Sequence, residues 1–434
     1  MHSRRTVLTT IVAAAGAAVT GSVARASVRP TAGREMLADD PFPTSRNVFQ
    51  WPFAPESIWN MPIGSAAQYH DPGFQTYNPA DPLATGENYI ARNGYRIEHE
   101  VICLRPDAPL TPVWWNAGSF DQTADRCVIM NDPDTGQPRL LDTIPIPADW
   151  AFHEGTNAGE VKINACFVGI RPPDGNGVTK ELVGLFAFAR CTPGGHAAAR
   201  VVSSSTTGTW PLSWRRTGSD IFGEGRFGEH GGTHLSVLGG ALRLGELRPG
   251  SGRVRHALKI IVPQRIQWHA PDGVNNWVWP AFNGDRNSGN LGSDPHVVQG
   301  ALYALPPSLD LNALGLETEP ARQIAWTLQN YGAYNVDSTP AQTCAFGVEV
   351  GPAGDVRDQF RADWGFPMER HVYTDANIVR LRQDYSGWDD GANTGPWIRD
   401  LDRIFTNLHV ITNNGPTSIG GGGTPRQPLA PPFA

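Results

Sequence analysis

The sequence predicts a mostly β protein, a large antiparallel β-sandwich of the jelly-roll type with a few short helices. Glycine and proline together make up about a fifth of the 434 residues, which is too much for a helical bundle and follows no collagen-like period. Short β-rich runs recur between residues 95 and 305, each bounded by Gly, Pro, Asn or Asp. This spacing is typical of sandwiches rather than of βαβ units.

Eight segments have the composition of β-strands. The loop 171–180 contains Pro-Pro-Asp-Gly-Asn-Gly, so the runs on either side of it are expected to pair as an antiparallel hairpin. The predicted strands are 95–104, 126–130, 160–170, 181–190, 199–203, 235–242, 255–262 and 297–304.

Two segments have helical patterns. Residues 320–331 begin with a proline suited to a first turn, and Ile324, Leu328 and Tyr331 recur at helical spacing before Gly332. Residues 397–406 predict a second short helix ahead of an apolar run. We expect no other long helix.

The N-terminus has the pattern of an export signal. Arg4 and Arg5 precede an apolar stretch that ends in the small-residue site Ala24-Arg25-Ala26. The arginine pair resembles a twin-arginine signal, with an ordinary secretory signal as the alternative. The predicted organisation is a signal peptide 1–26, a flexible segment 27–44, one β-sandwich domain 45–412 and a disordered Gly/Pro-rich tail 413–434.

Composition points to an extracellular, monomeric protein without a membrane span in the mature chain, because no other segment approaches ~20 continuous apolar residues. Removal of residues 1–26 takes away three arginines and no acid, so the net charge falls from −7 to −10. An acidic field disfavours nucleic acid as a partner.

Five cysteines are an odd number for an oxidising compartment. No Cys-x-x-Cys pair occurs, which disfavours a thiolate zinc or redox site. We expect a bridge between Cys103 and Cys127, on either side of a Trp-rich turn. The alternative is five buried thiols.

The segment from Trp210 to His234 has the densest set of reactive side chains. Its glycines allow close backbone approach, its arginines can pair with carboxylates, and its histidines titrate near neutral pH, a combination suited to acid–base chemistry on a polar polymer. The alternative is a surface loop whose charges pair among themselves. The candidates taken from it are Trp214, Arg215, Arg226, Glu229, His230 and His234.

Further candidates bind substrate rather than react with it. Glu160, Lys162 and Asn164 share one face of a predicted strand, which either is solvated or lines a groove. Trp268 and His269, followed by two more tryptophans, could form an aromatic platform for a sugar.

The sequence predicts no cofactor. Structural Ca²⁺ could bind at 285–290 or 131–134, although ordinary Asx turns explain both segments. The motifs of serine lipases, zincins, phosphate-loop NTPases and dinucleotide enzymes are absent from the sequence.

Four segments resemble a pattern found in secreted actinobacterial proteins of uncharacterised function. They are 57–63, 232–260, 305–316 and 329–338, in the same order and over most of the mature chain. The resemblance implies an extracellular β-sandwich that acts on polysaccharide. It implies no particular catalytic residue.

The leading hypothesis is a secreted enzyme that cleaves polysaccharide by β-elimination or by hydrolysis. Elimination would use Arg215 or Arg226 as a carboxylate clamp, His230 or His234 as the base and Tyr303 as the acid. Hydrolysis would need two carboxylates, with Glu224 paired with Glu229 or Asp220. The alternative is a non-catalytic protein that binds polysaccharide or the cell wall.

Overall fold

The computed structural model describes nine stretches of the chain. They are residues 40–76, 88–91, 94–117, 125–153, 165–200, 220–285, 289–339, 342–371 and 395–434.

The protein is mostly β, as the sequence predicts, and three sheets are formed by the described residues. The main sheet has eleven strands and the others have three and two. The strands are β1 Tyr69–His70, β2 Gln75–Thr76, β3 Tyr89–Ala91, β4 Gly94–Cys103, β5 Leu110–Trp115, β6 Leu140–Pro145, β7 Cys166–Ile170, β8 Leu182–Leu185, β9 Ala197–Ala199, β10 Phe227–His230, β11 Leu258–Pro263, β12 Leu302–Ala304, β13 Ala333–Thr339, β14 Cys344–Gly351, β15 Gly354–Asp355, β16 Arg370–His371 and β17 His409–Ile411.

The main sheet is mixed, so the prediction of an antiparallel sheet is wrong at its centre. Its order is β1-β17-β12-β13-β11-β14-β4-β7-β8, with β15 beside β14 and β16 beside β4. The pairs β11–β13, β14–β4 and β4–β7 are parallel. Parallel neighbours need long crossover connections, which a pattern of short local runs does not reveal. A sandwich or jelly-roll arrangement stays a prediction.

The helices explain one of these crossovers. Helix α1, Glu319–Asn330, lies between β12 and β13, in the connection that leads from β11 to its parallel neighbour β13. It confirms the first predicted helix. Helix α3, Pro396–Phe405, confirms the second. Helix α2, Val356–Trp364, was not predicted, although Asp355 caps it by accepting from the Arg357 backbone N–H. Among the described residues, no helix is both long and apolar enough to cross a membrane.

The predicted hairpin around 171–180 is confirmed. Strands β7 and β8 pair antiparallel, from Phe167 opposite Leu185 to Ile170 opposite Leu182. A strand predicted at 235–242 is wrong, because the carbonyls of Ser236 and Val237 accept from the Lys259 ammonium, 2.8 Å away in each case.

The three-stranded sheet β6-β5-β9 packs on the far end of the main sheet. Buried side chains of β4, β7 and β8 meet those of the small sheet in one apolar cluster, which includes Val101, Phe167 and Leu185 from the main sheet and Val113 and Ile144 from the small sheet. A separate, larger cluster contains most of the other buried residues of the main sheet and all three helices.

The expected cysteine pairing is wrong. Cys127 is bonded to Cys191, with a Cα–Cα distance of 5.4 Å. Cys103 is instead a buried free thiol in the apolar cluster between the two sheets, as expected for a residue on a β4 face that packs inward. Cys166 and Cys344 are also buried and free.

Residues 413–434, predicted to be a disordered tail, are fixed to the body of the protein. The backbone of Arg46 pairs with that of Pro432 and Ala434, and its guanidinium donates to the Pro431 carbonyl. The Arg46 guanidinium also lies 3.9 Å from the centre of the Phe433 ring. Composition suggested disorder, but long-range hydrogen bonds satisfy this backbone.

Candidate functional site

Residues 227–235, which include the end of the segment that the sequence singled out, form a tight hairpin over one face of the main sheet. Strand β10 turns at 231–234, and the backbone N–H of His234 donates to the His230 carbonyl at 3.0 Å. Gly228 N–H donates to the His234 carbonyl, also at 3.0 Å. The hairpin therefore presents its two imidazoles from opposite sides of a single turn.

His230 belongs to a buried ion network, and its role as a catalytic base stays a prediction. Its ring is fully buried, and Nε2 lies 2.8 Å from Glu100 Oε1. The other carboxylate oxygen of Glu100 lies 3.2 Å from Lys259 Nζ, and all three side chains are at most 1% exposed. Because Glu100 is on β4 and Lys259 is on β11, this network ties the hairpin to the main sheet.

Glu100 and Lys259, which carry opposite charges in this network, shift each other's pKa. Burial pushes the pKa of Glu100 upward, but His230 and Lys259 outweigh burial and hold it below its usual range. Burial lowers the pKa of Lys259, against the attraction of Glu100. Because the ammonium also donates to two backbone carbonyls, the charge is compensated in place.

His234 lies on the other side of the turn, near Asp285. It is 8% exposed, has a left-handed backbone conformation with φ 55°, and its pKa is lowered to about 4 by burial despite the attraction of Asp285. The ring is therefore neutral at neutral pH.

Beneath the turn, two carboxyl groups form a hydrogen-bonded pair. Asp337 is on β13 and is 9% exposed, while the half-buried Asp285 comes from the loop ahead of β12. Their side chains hydrogen-bond to each other. The negative charge of Asp285 therefore disfavours ionisation of Asp337.

The two carboxyl groups have different surroundings. Asp285 Oδ2 accepts from Ser338 Oγ at 2.7 Å and from Gln299 Nε2 at 2.8 Å. Burial first, and the charge of Asp285 second, raise the pKa of Asp337 well above its usual value. Glu98 adds to this increase. Asp337 is therefore the neutral member.

Gly231 allows the hairpin to approach the pair. Its φ is 35°, and a Cβ at this position would lie 1.8 Å from Asp337 Oδ2. The next amide, Gly232 N–H, donates to Asp337 Oδ1 at 3.2 Å, and Ser338 N–H donates to the same oxygen at 2.8 Å. With Oδ1 occupied by two donors, the proton is assigned to Oδ2.

An aromatic side chain lies beside the pair. Trp277 is half-buried and its indole lies against the backbone of Gly284, one residue before Asp285. Its backbone pairs with that of Gln299, whose side chain binds Asp285. An indole next to acid–base groups suits the C–H face of a sugar.

No protein-family model, curated protein or solved structure matches this chain. The resemblance to secreted actinobacterial proteins therefore stays a prediction.

The sequence hypothesis missed Asp337 and took Asp285 as a possible calcium ligand and as a polar group beside the tryptophans of a possible sugar site. Each acid lies in a short segment with polar side chains, Asn283-Gly-Asp285 and Asn335-Val-Asp337-Ser338. Those patterns are a weak signal, because nothing in them indicates that the two acids meet.

Arg226 and Glu229 lie near the hairpin but outside this pair. The Arg226 guanidinium lies 4.1 Å from the centre of the Phe282 ring, and Nε is 3.6 Å from Glu224. Glu229 is 7% exposed and lines a small cavity of about 30 Å³ with Gly184 and Phe227. This volume holds about two waters, so the cavity is too small for a sugar ring.

Tyr303 is fully buried on β12, and burial raises its pKa far above the usual value. Its role as a catalytic acid stays a prediction. Trp268 packs against the main core, which favours a structural role over a platform. His269 is exposed, with Nδ1 2.9 Å from the Asn290 carbonyl. Five other candidates lie outside the described residues: Trp214, Arg215, Glu160, Lys162 and Asn164.

The segments considered for Ca²⁺ offer their oxygens to other partners. Asp132 is 1% exposed, lies 2.6 Å from Arg139 Nε and accepts from the Asp134 backbone N–H in an Asx turn. Asp285 belongs to the carboxyl pair, and Asn290 donates to the Trp268 carbonyl. Calcium binding stays a prediction.

Proposed function

We propose that the protein is a secreted enzyme that hydrolyses a polysaccharide, with Asp337 as the general acid. The observation that carries this proposal is the hydrogen-bonded pair of Asp285 and Asp337, in which one carboxyl keeps its proton. An acid that stays protonated where ordinary aspartic acid is ionised can protonate a leaving glycosidic oxygen.

A glycosidase needs a second carboxylate set apart from the acid. Retaining enzymes place their carboxyl groups about 5 Å apart and inverting enzymes about 6.5–9.5 Å apart, so the hydrogen-bonded pair acts as one acid unit. Glu98 is the next acid in the same field, since its charge raises the pKa of Asp337. Arg96 holds it at 3.1 Å. Glu98 is proposed as the base or nucleophile, and Trp277 as a sugar platform.

Hydrolysis is favoured over elimination by the positions of the other candidates. The proposed elimination base His230 is tied to Glu100, and the proposed acid Tyr303 is buried. Secretion is supported by the Cys127–Cys191 disulfide, because such bonds persist in oxidising compartments. A monomer acting on an extracellular glycan stays part of the proposal.

The test is cleavage of a panel of purified glycans, measured as new reducing ends and as absorbance of unsaturated uronates. We expect reducing ends without unsaturated products. D337N should lower kcat by about 10²–10⁴-fold because the acid is lost, and E98Q should lower it similarly. Asp402 provides the matched control. Burial also raises the pKa of Asp402, to about 6, and its carboxyl group accepts a hydrogen bond from Tyr95 rather than belonging to the carboxyl pair. D402N should leave kcat within about threefold.

Stability separates loss of chemistry from loss of fold. The pKa of Asp337 is raised in the folded state, so the stability that this group contributes is fully present below the unfolded pKa of about 4 and is lost as pH rises toward the raised folded pKa. D337N cannot ionise and should lack this fall, leaving the variant at least as stable as wild type at pH 7. Unsaturated products, or wild-type turnover by a folded D337N protein, would overturn hydrolysis through Asp337. Glycan binding without cleavage would favour the non-catalytic alternative.

A further inference from the structure

Two histidines and an aspartate converge at an edge of the main sheet. His70 ends β1, the strand at one end of the sheet order. Asp294 and His296 come from the loop that leads into β12. His70 is 224 positions from Asp294 in the chain, and the fold brings them together.

The ligand atoms of this triad are close enough to share one ion. His70 Nε2 lies 2.7 Å from Asp294 Oδ2, and His296 Nδ1 lies 3.1 Å from Asp294 Oδ1. One nitrogen or oxygen from each residue lies within 4.8 Å of the other two. The edges of a tetrahedral zinc site with bonds of about 2.0–2.2 Å are about 3.3 Å long, so small side-chain adjustments would complete such a site.

The orientation of the rings supports a common ligand. The two imidazole rings are 4.3 Å apart between centres and tilted by 39°, with both nitrogens directed to the same carboxylate. The His296 backbone N–H donates to Asp294 Oδ1 at 2.9 Å, which fixes the carboxylate from the protein side. A fixed ligand carboxylate is the arrangement that metal sites use to orient their ligands.

We propose that His70, Asp294 and His296 bind a divalent transition-metal ion, with Zn²⁺ as the reference ion. Two imidazoles and one carboxylate match Zn²⁺, Fe²⁺ or Co²⁺, whereas Ca²⁺ prefers a shell of oxygens. The ligand side chains are 37%, 23% and 41% exposed, so the ion would keep solvent in its remaining positions. Among the described residues, this is the group of three histidine, cysteine or acidic side chains whose ligand atoms lie close enough together to hold a metal ion. The inference is independent of the proposed hydrolysis, because it uses none of the residues of the carboxyl pair.

The experiment uses the full chain without a histidine tag, stripped with a chelator and titrated with Zn²⁺ by calorimetry. We expect one Zn²⁺ per chain. H70A and H296A should each weaken binding by at least about 100-fold, and D294N by at least about 10-fold. H196A removes a half-buried histidine that is not part of the triad, and should bind Zn²⁺ as wild type does. Co²⁺ substitution should give a visible absorption band that the H70A variant lacks.

Each contrary result is distinct. If wild type shows no Zn²⁺ binding below about 1 mM, the site does not exist. If H70A and H296A remain folded by circular dichroism and bind Zn²⁺ like wild type, the ion is held by other residues. Displacement of Zn²⁺ by equimolar Ca²⁺ would also overturn the assignment, because it would indicate an oxygen site.

Discussion

Glu100 and Asp337 are buried acids on the main sheet, yet their pKa values are shifted in opposite directions. Glu100 faces a histidine and a lysine, which hold its pKa below the usual range. Asp337 faces another carboxyl group, which adds to burial and raises its pKa. The identity of the neighbour, rather than depth of burial, decides which acid is structural and which can donate a proton.

The structural role of Glu100 predicts a large cost for its neutralisation. E100Q would leave the Lys259 ammonium buried without its counter-charge, and we expect a loss of about 3–5 kcal/mol in the free energy of unfolding. Urea denaturation measures this loss in the free energy of unfolding. The double variant E100Q/K259M should recover part of the loss, because it also removes the stranded charge.

A surface ion pair provides the comparison for this network. Arg248 lies 2.8 Å from Asp363 but is about half exposed, so D363N should cost less than about 1 kcal/mol. Equal losses for E100Q and D363N would mean that the buried network contributes no more than an exposed pair.

At the scale of elements, the hairpin of β10 connects the ion network to the carboxyl pair. His230 anchors one side of the turn to Glu100, and Gly232 N–H binds Asp337 on the other side. A displacement of the turn therefore changes the surroundings of Asp337 even when neither Glu100 nor Asp337 is substituted.

Gly231 tests this connection. G231A places a methyl group where Asp337 Oδ2 lies, so we expect a loss of stability and of any glycan cleavage. G273A is the control, since Gly273 also has positive φ, 75°, but open space around its Cβ position. G231A should be at least about 1–3 kcal/mol less stable than G273A by urea denaturation. Similar stability of the two variants would contradict the close approach.

At the scale of the whole molecule, the C-terminal segment closes the body against the N-terminal part. Arg46 is 5% exposed and donates to carbonyls of both segments, including Pro431 and Pro52. Gly64 N–H donates to the Gly420 carbonyl at 2.9 Å. The two ends of the described chain therefore stabilise each other.

Removal of residues 413–434 should destabilise the protein by at least about 2 kcal/mol, because buried polar groups of Arg46 and Gly64 lose their partners. Thermal and urea unfolding of the truncated chain measure this effect. L429A, which trims an exposed side chain of the same segment, should stay within about 0.5 kcal/mol of wild type. A truncated chain with wild-type stability would contradict this stabilising role of residues 413–434.

Local pattern was enough for part of this fold. The mostly β class, helices α1 and α3 and the β7–β8 hairpin follow from periodicity and turn residues that act over a few positions. Individual candidates such as His234 were recognised by residue type. Their chemistry was not, because burial and neighbouring charges set the pKa of each group.

The sequence by itself determined the mostly β class, helices α1 and α3, the β7–β8 hairpin and which residues carry reactive groups. Only the tertiary structure decided which groups meet: Asp285 with the Asp337–Ser338 segment about 53 positions away, Cys127 with Cys191 across 64, and His70 with Asp294 across 224. The physical reason is that strand order in a mixed sheet depends on burial and loop closure over the whole chain, and no local period encodes it.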